Sequence, residues 1–232
     1  MEELAENPGL CCAVVFINPA EDAEEFLSAR RVNYVIVNQT QKPGMEFNCV
    51  NTTHMTGVFE AVSYLVKELG HKRVAIITAE NSSHAERLAA FQIGLRTFSL
   101  PLPDEYLARA AGGTVEAGAE AMRKLLALKE PPTAVFADTD IKAAGVMIAV
   151  KEAGLKVPDD ISVIGFDDIP EAKTLSPPLT TVKGMYFEMG AAAARMIEER
   201  REQSMKDIPS VTVNTKLAVR KSCRKAPATS AF

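Results

Sequence analysis

The sequence predicts an α/β protein built on parallel sheets wound by helices on both faces. Three observations carry this. Short apolar, β-branched runs alternate with helix-spaced segments through almost all of the 232 residues, the pattern of repeated β–α units. The helical segments end where a glycine can close them, as at Gly70 and Gly154. The run ISVIGF at 161–166 suits a strand covered on both faces, and it stops abruptly at Asp167-Asp168.

The elements follow in order. Residues 13–17 read as a strand. Asn18-Pro19 then opens a helix, with Asn as cap, Pro at the first position and Glu21 and Asp22 in the first turn. Residues 33–38 form the next strand. Residues 57–69 have helical spacing and stop at Gly70, with His71, Lys72 and Arg73 at the end that favours positive charge. Residues 74–78 are a strand. Ser83 and Glu86 have capping-box spacing at the head of a helix reaching about Phe98. A helix follows Thr114, then a strand at 134–137 and a helix at 141–153. After the strand at 161–166, Pro170, Pro177 and Pro178 forbid a continuing helix and lead into a short strand at 180–182. Residues 186–203 form the last long helix, and Met185, Met189 and Met196 have helix spacing and read as core or interface filling. The small, polar stretch 224–232 reads as a disordered tail.

Composition narrows the function classes. The chain is 47% hydrophobic and 24% charged, as in an ordinary globular protein of one large or two small domains. A net charge of −4 disfavours a free-standing nucleic-acid binder. No apolar run approaches the ~20 residues that span a bilayer, and the start MEELAENPGL is acidic where a signal peptide would be basic. The chain therefore reads as cytoplasmic. Cys11, Cys12, Cys49 and Cys223 show no CxxC and no zinc spacing, and read as structural. His54, His71 and His84 have no metal-ligand spacing. There is no P-loop, no GxGxxG after a strand and no GxSxG elbow. No cofactor, metal or catalytic residue is expected, and the chain is read as a non-enzyme.

The stretch VPDDISVIGFDD (157–168), with PPLTT at 177–181, resembles the LacI/GalR family of transcriptional regulators. A match of this length is far more specific than a lone glycine motif. The resemblance implies a two-lobed, periplasmic-binding-protein-like fold, each lobe a parallel doubly wound sheet, with segments exchanged between lobes. Residues 1–79 plus 183–208 would make the first lobe, and 80–182 plus 209–223 the second. Nothing in the chain resembles the family's helix-turn-helix headpiece, and residue 1 falls near the end of the core's second helix. The first lobe is thus expected to be truncated at its N-terminus and to be the less stable of the two.

Asp167 is the strongest site candidate. In an open parallel sheet, residues just past the carboxyl ends of strands face the ligand crevice, and a carboxylate accepts two hydrogen bonds from adjacent hydroxyls. The resemblance gives the first Asp of GFDD the same effector contact, and Asp168 is read as a cap. Arg87, in ERLAAF, lies in a stretch that looks like the family's RLxGF element, whose arginine reaches the crevice; its five-donor fork suits hydroxyl pairs. Thr139 and Asp140 follow the strand at 134–137 and fit a helix cap or a ligand contact equally. NTTHM at 51–55 replaces a stretch where relatives place Asp-Asn, so His54 is weighed as a substitute donor against a structural histidine. Asn81 and Ser83 lie on the loop that would line the crevice, with helix capping the plainer role for Ser83. Gly112-Gly113 stands where some relatives place a stacking aromatic, so stacking must come from elsewhere.

These features imply a small-molecule effector, a sugar or a derivative, bound by the dimerising core of a transcriptional regulator. DNA would be contacted only through the headpiece, and no membrane partner is expected. The alternative is a sugar receptor of the periplasmic type, which shares the fold. A leader or a helix-turn-helix encoded upstream would separate the two.

Overall fold

The computed structural model describes residues 14–17, 34–38, 48–79, 84–202 and 207–227. They fall into two compact units. One takes the described residues up to Thr53 together with Met185 to Asn214; the other takes His54 to Gly184 together with the described residues from Thr215 on.

The first unit is a four-stranded parallel sheet in the order β1-β2-β3-β9, formed by β1 (Val14–Ile17), β2 (Tyr34–Asn38), β3 (Cys49–Thr53) and β9 (Val211–Asn214). Val15 pairs with Val35, Ile36 with Cys49 and Val50 with Val211. The last long helix (Tyr186–Glu202) lies on this sheet, burying Met189, Ala192, Ala193 and Met196 against Val35, Val37 and Val50. Asn48 has a left-handed backbone (φ 56), a conformation Asn tolerates better than most residues. Its side-chain amide donates to Asp207 at 2.6 Å and accepts from the Ile208 amide at 3.1 Å.

The second unit is a six-stranded sheet in the order β10-β8-β7-β6-β4-β5. Its strands are β4 (Val74–Ala79), β5 (Leu107–Ala110), β6 (Ala134–Ala137), β7 (Ser162–Asp167), β8 (Thr180–Lys183) and β10 (Lys216–Ala218). All pairs are parallel except β10 with β8. Because strand side chains alternate faces, each strand feeds two cores. Ala75, Ile77, Val135, Ala137 and Val163 meet helices α3 (Val115–Leu126) and α4 (Asp140–Glu152). Val74, Ile76, Phe136, Ile164 and Phe166 meet helices α1 (Met55–Ser63) and α2 (Ala85–Thr97). The helix of Tyr186–Glu202 is then α5. Helix α1 continues through Tyr64–Glu68 as a wider turn, with the Leu69 amide reaching the Tyr64 carbonyl. Helices α3 and α4 cross at contact distance. A Cβ on Gly145 would lie 1.9 Å from the Val115 carbonyl oxygen, and one on Gly118 2.3 Å from that of Lys142.

Several expectations change here. Strand β4 pairs with β5 and β6, so the boundary falls after Thr53 rather than after 79, and residues 54–79 join the second unit. Residues 209–214 belong to the first unit, because β9 pairs with β3. Strands β3 and β5 were not foreseen. Helix α2 starts at Ala85 behind His84, whose side chain makes no cap hydrogen bond, and Glu86 accepts the His54 amide at 3.0 Å; the Ser83 half of the expected capping box lies outside the described residues. The C-terminal stretch is also more tied down than a disordered tail. The Arg224 amide donates to Ser162 at 3.1 Å, its carbonyl meets His71 at 3.0 Å, and the Ala226 amide reaches the Leu69 carbonyl at 2.7 Å. The helix expected after Asn18, together with Cys11 and Cys12, lies outside the described residues. Cys49 is buried and Cys223 half-buried, and no disulfide joins the two. Among the described residues no helix is long and apolar enough to cross a membrane.

Candidate functional site

Strands β4, β6 and β7 end side by side, and the polar residues they carry converge with the first turn of α2. Phe166, the last buried apolar residue of β7, is a platform. The Arg87 guanidinium lies over its ring, 3.6 Å from the centroid, a cation–π contact made stronger by exclusion of water. Arg87 itself is only 4% exposed. Its Nη1 donates to the Asp138 carbonyl and its Nη2 to Asp167 Oδ1 at 3.4 Å. Its Nε is buried and has no partner among the described residues.

His54 meets the same ring edge-on, at 4.9 Å and 73°. Burial, then the charges of Arg87 and His84, pull its imidazole down to about 3. Its 3.4 Å approach to Glu86 is therefore the contact of a neutral ring at neutral pH. His54 forms a wall of the site, and its amide is bonded to Glu86.

The β7 end is backbone-strained. Asp167 (φ 115) and Asp168 (φ 58) both occupy the left-handed side of the map, where a side chain is unfavourable and persists only if its surroundings hold it. Asp168 is held by Arg220 at 2.5 Å, and Arg220 also donates to the Leu179 carbonyl at 2.7 Å. Asp167 keeps a partly open side chain, 21% exposed, against 10% for Asp168. The two neighbouring carboxylates thus do different things: one is locked inward and the other faces out beside Arg87.

The β6 end is a buried ionic junction. Asp138 is fully buried. Its Oδ1 accepts Lys142 Nζ at 2.7 Å, and its Oδ2 accepts the Ala79 amide at 2.8 Å and meets His84 Nδ1 at 2.7 Å. Burial alone would push this carboxyl up; the hydrogen bonds from His84 and Lys142 overcome it and hold it at about 2. Lys142 is also fully buried.

Thr139 is the cap of α4, its hydroxyl accepting the Lys142 amide at 3.3 Å. Asp140 is enclosed rather than open to a ligand. Its two oxygens take Thr181 Oγ1 at 2.5 Å and the Ile169 amide at 2.9 Å, and it is 1% exposed. Gly165 leaves the room for it, since a Cβ there would meet Asp140 Oδ1 at 2.2 Å. Burial raises the Asp140 carboxyl to about 7, with Asp167 and Asp168 adding repulsion against the bonds from Thr181 and Ile169. Asp140 therefore braces the turn that presents Asp167.

The structure brings Arg87, Asp167 and His54 together, and places Thr139 and Asp140 behind them as supports. Asn81 and Ser83 lie outside the described residues. Phe166, Asp138, Lys142, His84 and Arg220 were not foreseen as members of the site. The i, i+4 spacing of Asp138 and Lys142 was the one signal available. The aromatic face missing at Gly112-Gly113 is present at Phe166, where Arg87 covers it. Among the described residues no cluster of His, Cys, Asp and Glu could hold a metal ion.

The chain has relatives among known proteins. The family model of periplasmic binding protein-like domains matches residues 63–223, a span that includes Arg87, Asp138 and Asp167. Over 187 residues, 80% of this chain, the sequence is 35% identical to the HTH-type transcriptional repressor CytR of Escherichia coli K12, covering 54% of that protein. Over 173 residues, 74% of the chain, it is 34% identical to the HTH-type transcriptional repressor PurR of Klebsiella pneumoniae strain 342, covering 50% of it. The chain thus spans about half the length of these curated relatives. Among solved structures, a sugar-binding transcriptional regulator of the LacI family from Escherichia coli, complexed with phosphate, matches with a TM-score of 0.80. That match is 27% identical and covers 97% of this chain and 81% of the other. The chain belongs to the periplasmic binding protein-like domain family and is homologous to the LacI-family repressors.

Proposed function

We propose that this chain is the effector-binding and dimerising core of a LacI/GalR-like transcriptional regulator, and that its effector is a sugar or sugar derivative held at the carboxyl ends of β4, β6 and β7. The observation that carries the reading is the Arg87–Asp167 pair seated on Phe166. It sets fixed donors beside a half-open acceptor, which is what a vicinal hydroxyl pair requires. The sugar-binding description of the Escherichia coli regulator supports the ligand class. The names of CytR and PurR as HTH-type repressors support the regulatory role. In this reading operator DNA is bound through a helix-turn-helix headpiece outside the two units, and the core works in the cytoplasm as a homodimer without catalysing a reaction. Ile141 and Ile148, seven residues apart on α4 and 43% and 45% exposed, support a second copy docking on that helix. The sugar acts by binding one arrangement of the core better than another, and shifts the equilibrium only by that difference.

A thermal-shift screen against D-ribose, D-glucose, D-galactose, cellobiose, adenine and uracil tests the reading. A ligand at ~100 times its Kd adds ~2.7 kcal/mol of stability, a readable rise in Tm. A rise with a sugar supports the proposal; a rise with the bases alone, or with none of the six, overturns the sugar assignment.

A further inference from the structure

We propose that His84 is a specificity-determining residue of this site, and that the buried Asp138–Lys142 pair exists to hold its imidazole with Nε2 facing a ligand hydroxyl.

The inference deepens the sugar-site reading and rests on it. Its basis is an otherwise unexplained cost. Lys142 and Asp138 are both fully buried on α4 and the β6 end, and a buried ion pair of this kind is often no more stabilising than two apolar side chains of similar volume. Here the carboxylate does more than neutralise the lysine. With Lys142 on Oδ1, its Oδ2 is left for the Ala79 amide and His84 Nδ1. A carboxylate held ionised in this way must receive a proton from Nδ1, as metal-free and metal-bound histidines alike are oriented by a carboxylate on the second nitrogen. The ring is then fixed with Nδ1–H toward Asp138, and its Nε2 is the nitrogen left for a ligand. The His84 side chain is 24% exposed while its carboxylate partner is sealed, so the open part of the ring is the part away from Asp138. His84 directly precedes α2 and stands three residues before Arg87.

Asp138 also ties the two recognition groups into one piece. Its side chain orients His84, and its backbone carbonyl accepts Arg87 Nη1. Arg87 offers donors and His84 its outward nitrogen, and Asp138 positions both. The ligand class that uses all three groups is a neutral polyol: one hydroxyl donating to Asp167, one oxygen accepting from Arg87, and a further hydroxyl, donor and acceptor in one, paired with His84 Nε2.

The test uses the full chain and titration calorimetry with D-ribose, D-glucose and D-galactose, each beside its monodeoxy analogues. The wild type is expected to bind one parent sugar about tenfold more tightly than one of its analogues, the range of a single well-made hydrogen bond. His84→Ala should weaken the parent to the level of that analogue while leaving the analogue unchanged, and His84→Gln, which keeps an acceptor at the Nε2 position, should recover part of the difference. Asp138→Asn/Lys142→Met, which removes both buried charges together and retains an acceptor for the Ala79 amide, should lose the same discrimination with the fold kept. If His84→Ala weakens the parent and every analogue by the same factor, or weakens none, His84 reads no hydroxyl and the proposal falls while the sugar site stands. If the wild type binds none of the sugars, the functional reading falls and takes this one with it.

Discussion

Arg87 lies over Phe166, its guanidinium carbon 3.6 Å from the ring centroid, and points Nη2 at Asp167, the residue that follows Phe166 in the chain. One strand end thus supplies both the surface under the guanidinium and its counter-charge. The platform is apolar and buried, so the guanidinium has lost its water and depends on the Asp138 carbonyl, Asp167 and the ring face. An arginine placed in this way cannot swing to solvent without giving up all three.

Arg87→Ala is expected to weaken sugar binding by about tenfold or more, since a hydrogen bond to a charged group contributes ~1.5–3 kcal/mol. Asp167→Asn, which keeps a residue tolerant of the left-handed backbone, should do the same. Calorimetry with the sugar that raises Tm checks both. Near-wild-type affinity in the two variants would move the site away from β7.

Asp138 and Lys142 should respond asymmetrically to mutation. Asp138→Ala leaves a buried ammonium without its partner, a loss of about 3–5 kcal/mol. Lys142→Met leaves Asp138 with His84 and the Ala79 amide, so its cost should be clearly smaller. Urea denaturation of the two variants gives the order; equal losses would mean that the lysine is not what the carboxylate chiefly stabilises.

His54 and Asp140 should give opposing pH dependences. His54 stays neutral in the fold down to about 3, whereas an unfolded histidine takes a proton near 6.5. Its contribution is complete above about 6.5 and is lost as pH falls toward 3. Asp140 holds its proton to about 7, whereas an unfolded aspartate releases it near 4. Its contribution is complete below about 4 and is lost as pH rises through 7. Between about 4 and 6.5 the two slopes, each at most ~1.4 kcal/mol per pH unit, run against each other. Relative to the wild type, His54→Gln should therefore tilt stability toward falling as pH rises across this window, and Asp140→Asn should tilt it toward rising. Denaturation at several pH values reads the slopes. The groups facing His54 are Arg87, His84 and Glu86, so a variant of any of these should shift its half of the window.

His71 ties the base of the second sheet. Its ring bonds Thr133 at 2.9 Å, Ser162 at 3.1 Å and the Arg224 carbonyl at 3.0 Å, and burial lowers its pKa. His71→Ala should cost about 2 kcal/mol or more, from unsatisfied buried partners, and should speed tryptic cleavage at Lys221, Arg224 and Lys225. Unchanged cleavage would show that the segment is held without it.

Much of this was legible in residue types. The strands read at 74–78, 134–137 and 161–166 announce themselves because their residues are buried on both faces. Strand β3 does not. Asn51 and Thr52 are buried in it, at 2% each, and Thr52 satisfies its hydroxyl on the Val213 carbonyl, a partner 161 positions away. Strand β5 hides for a related reason: at the sheet edge, Arg109 interrupts its apolar run. The unit boundary was misplaced because a strand's membership is decided by its neighbours in space, and β4 finds β5 and β6. Arg87 and Asp167 were found as polar residues in a recognisable frame. Asp138, Lys142 and His84 were missed because a buried charge looks like a solvated one until its partners are known.

Strand β10 and the segment behind it have a consequence for biosynthesis. Residues 216–226 complete the edge of a sheet whose other strands all lie before Gly184, and Ser222 bridges two of them, donating to the Val163 carbonyl and accepting the Thr180 amide. A ribosome delivers these residues only after the whole of the first unit's α5 and β9 has been made. Until then β8 is an open edge, of the kind that recruits foreign strands. Translation order and assembly order differ in this fold, and for the interval between them the β8 edge stands uncovered.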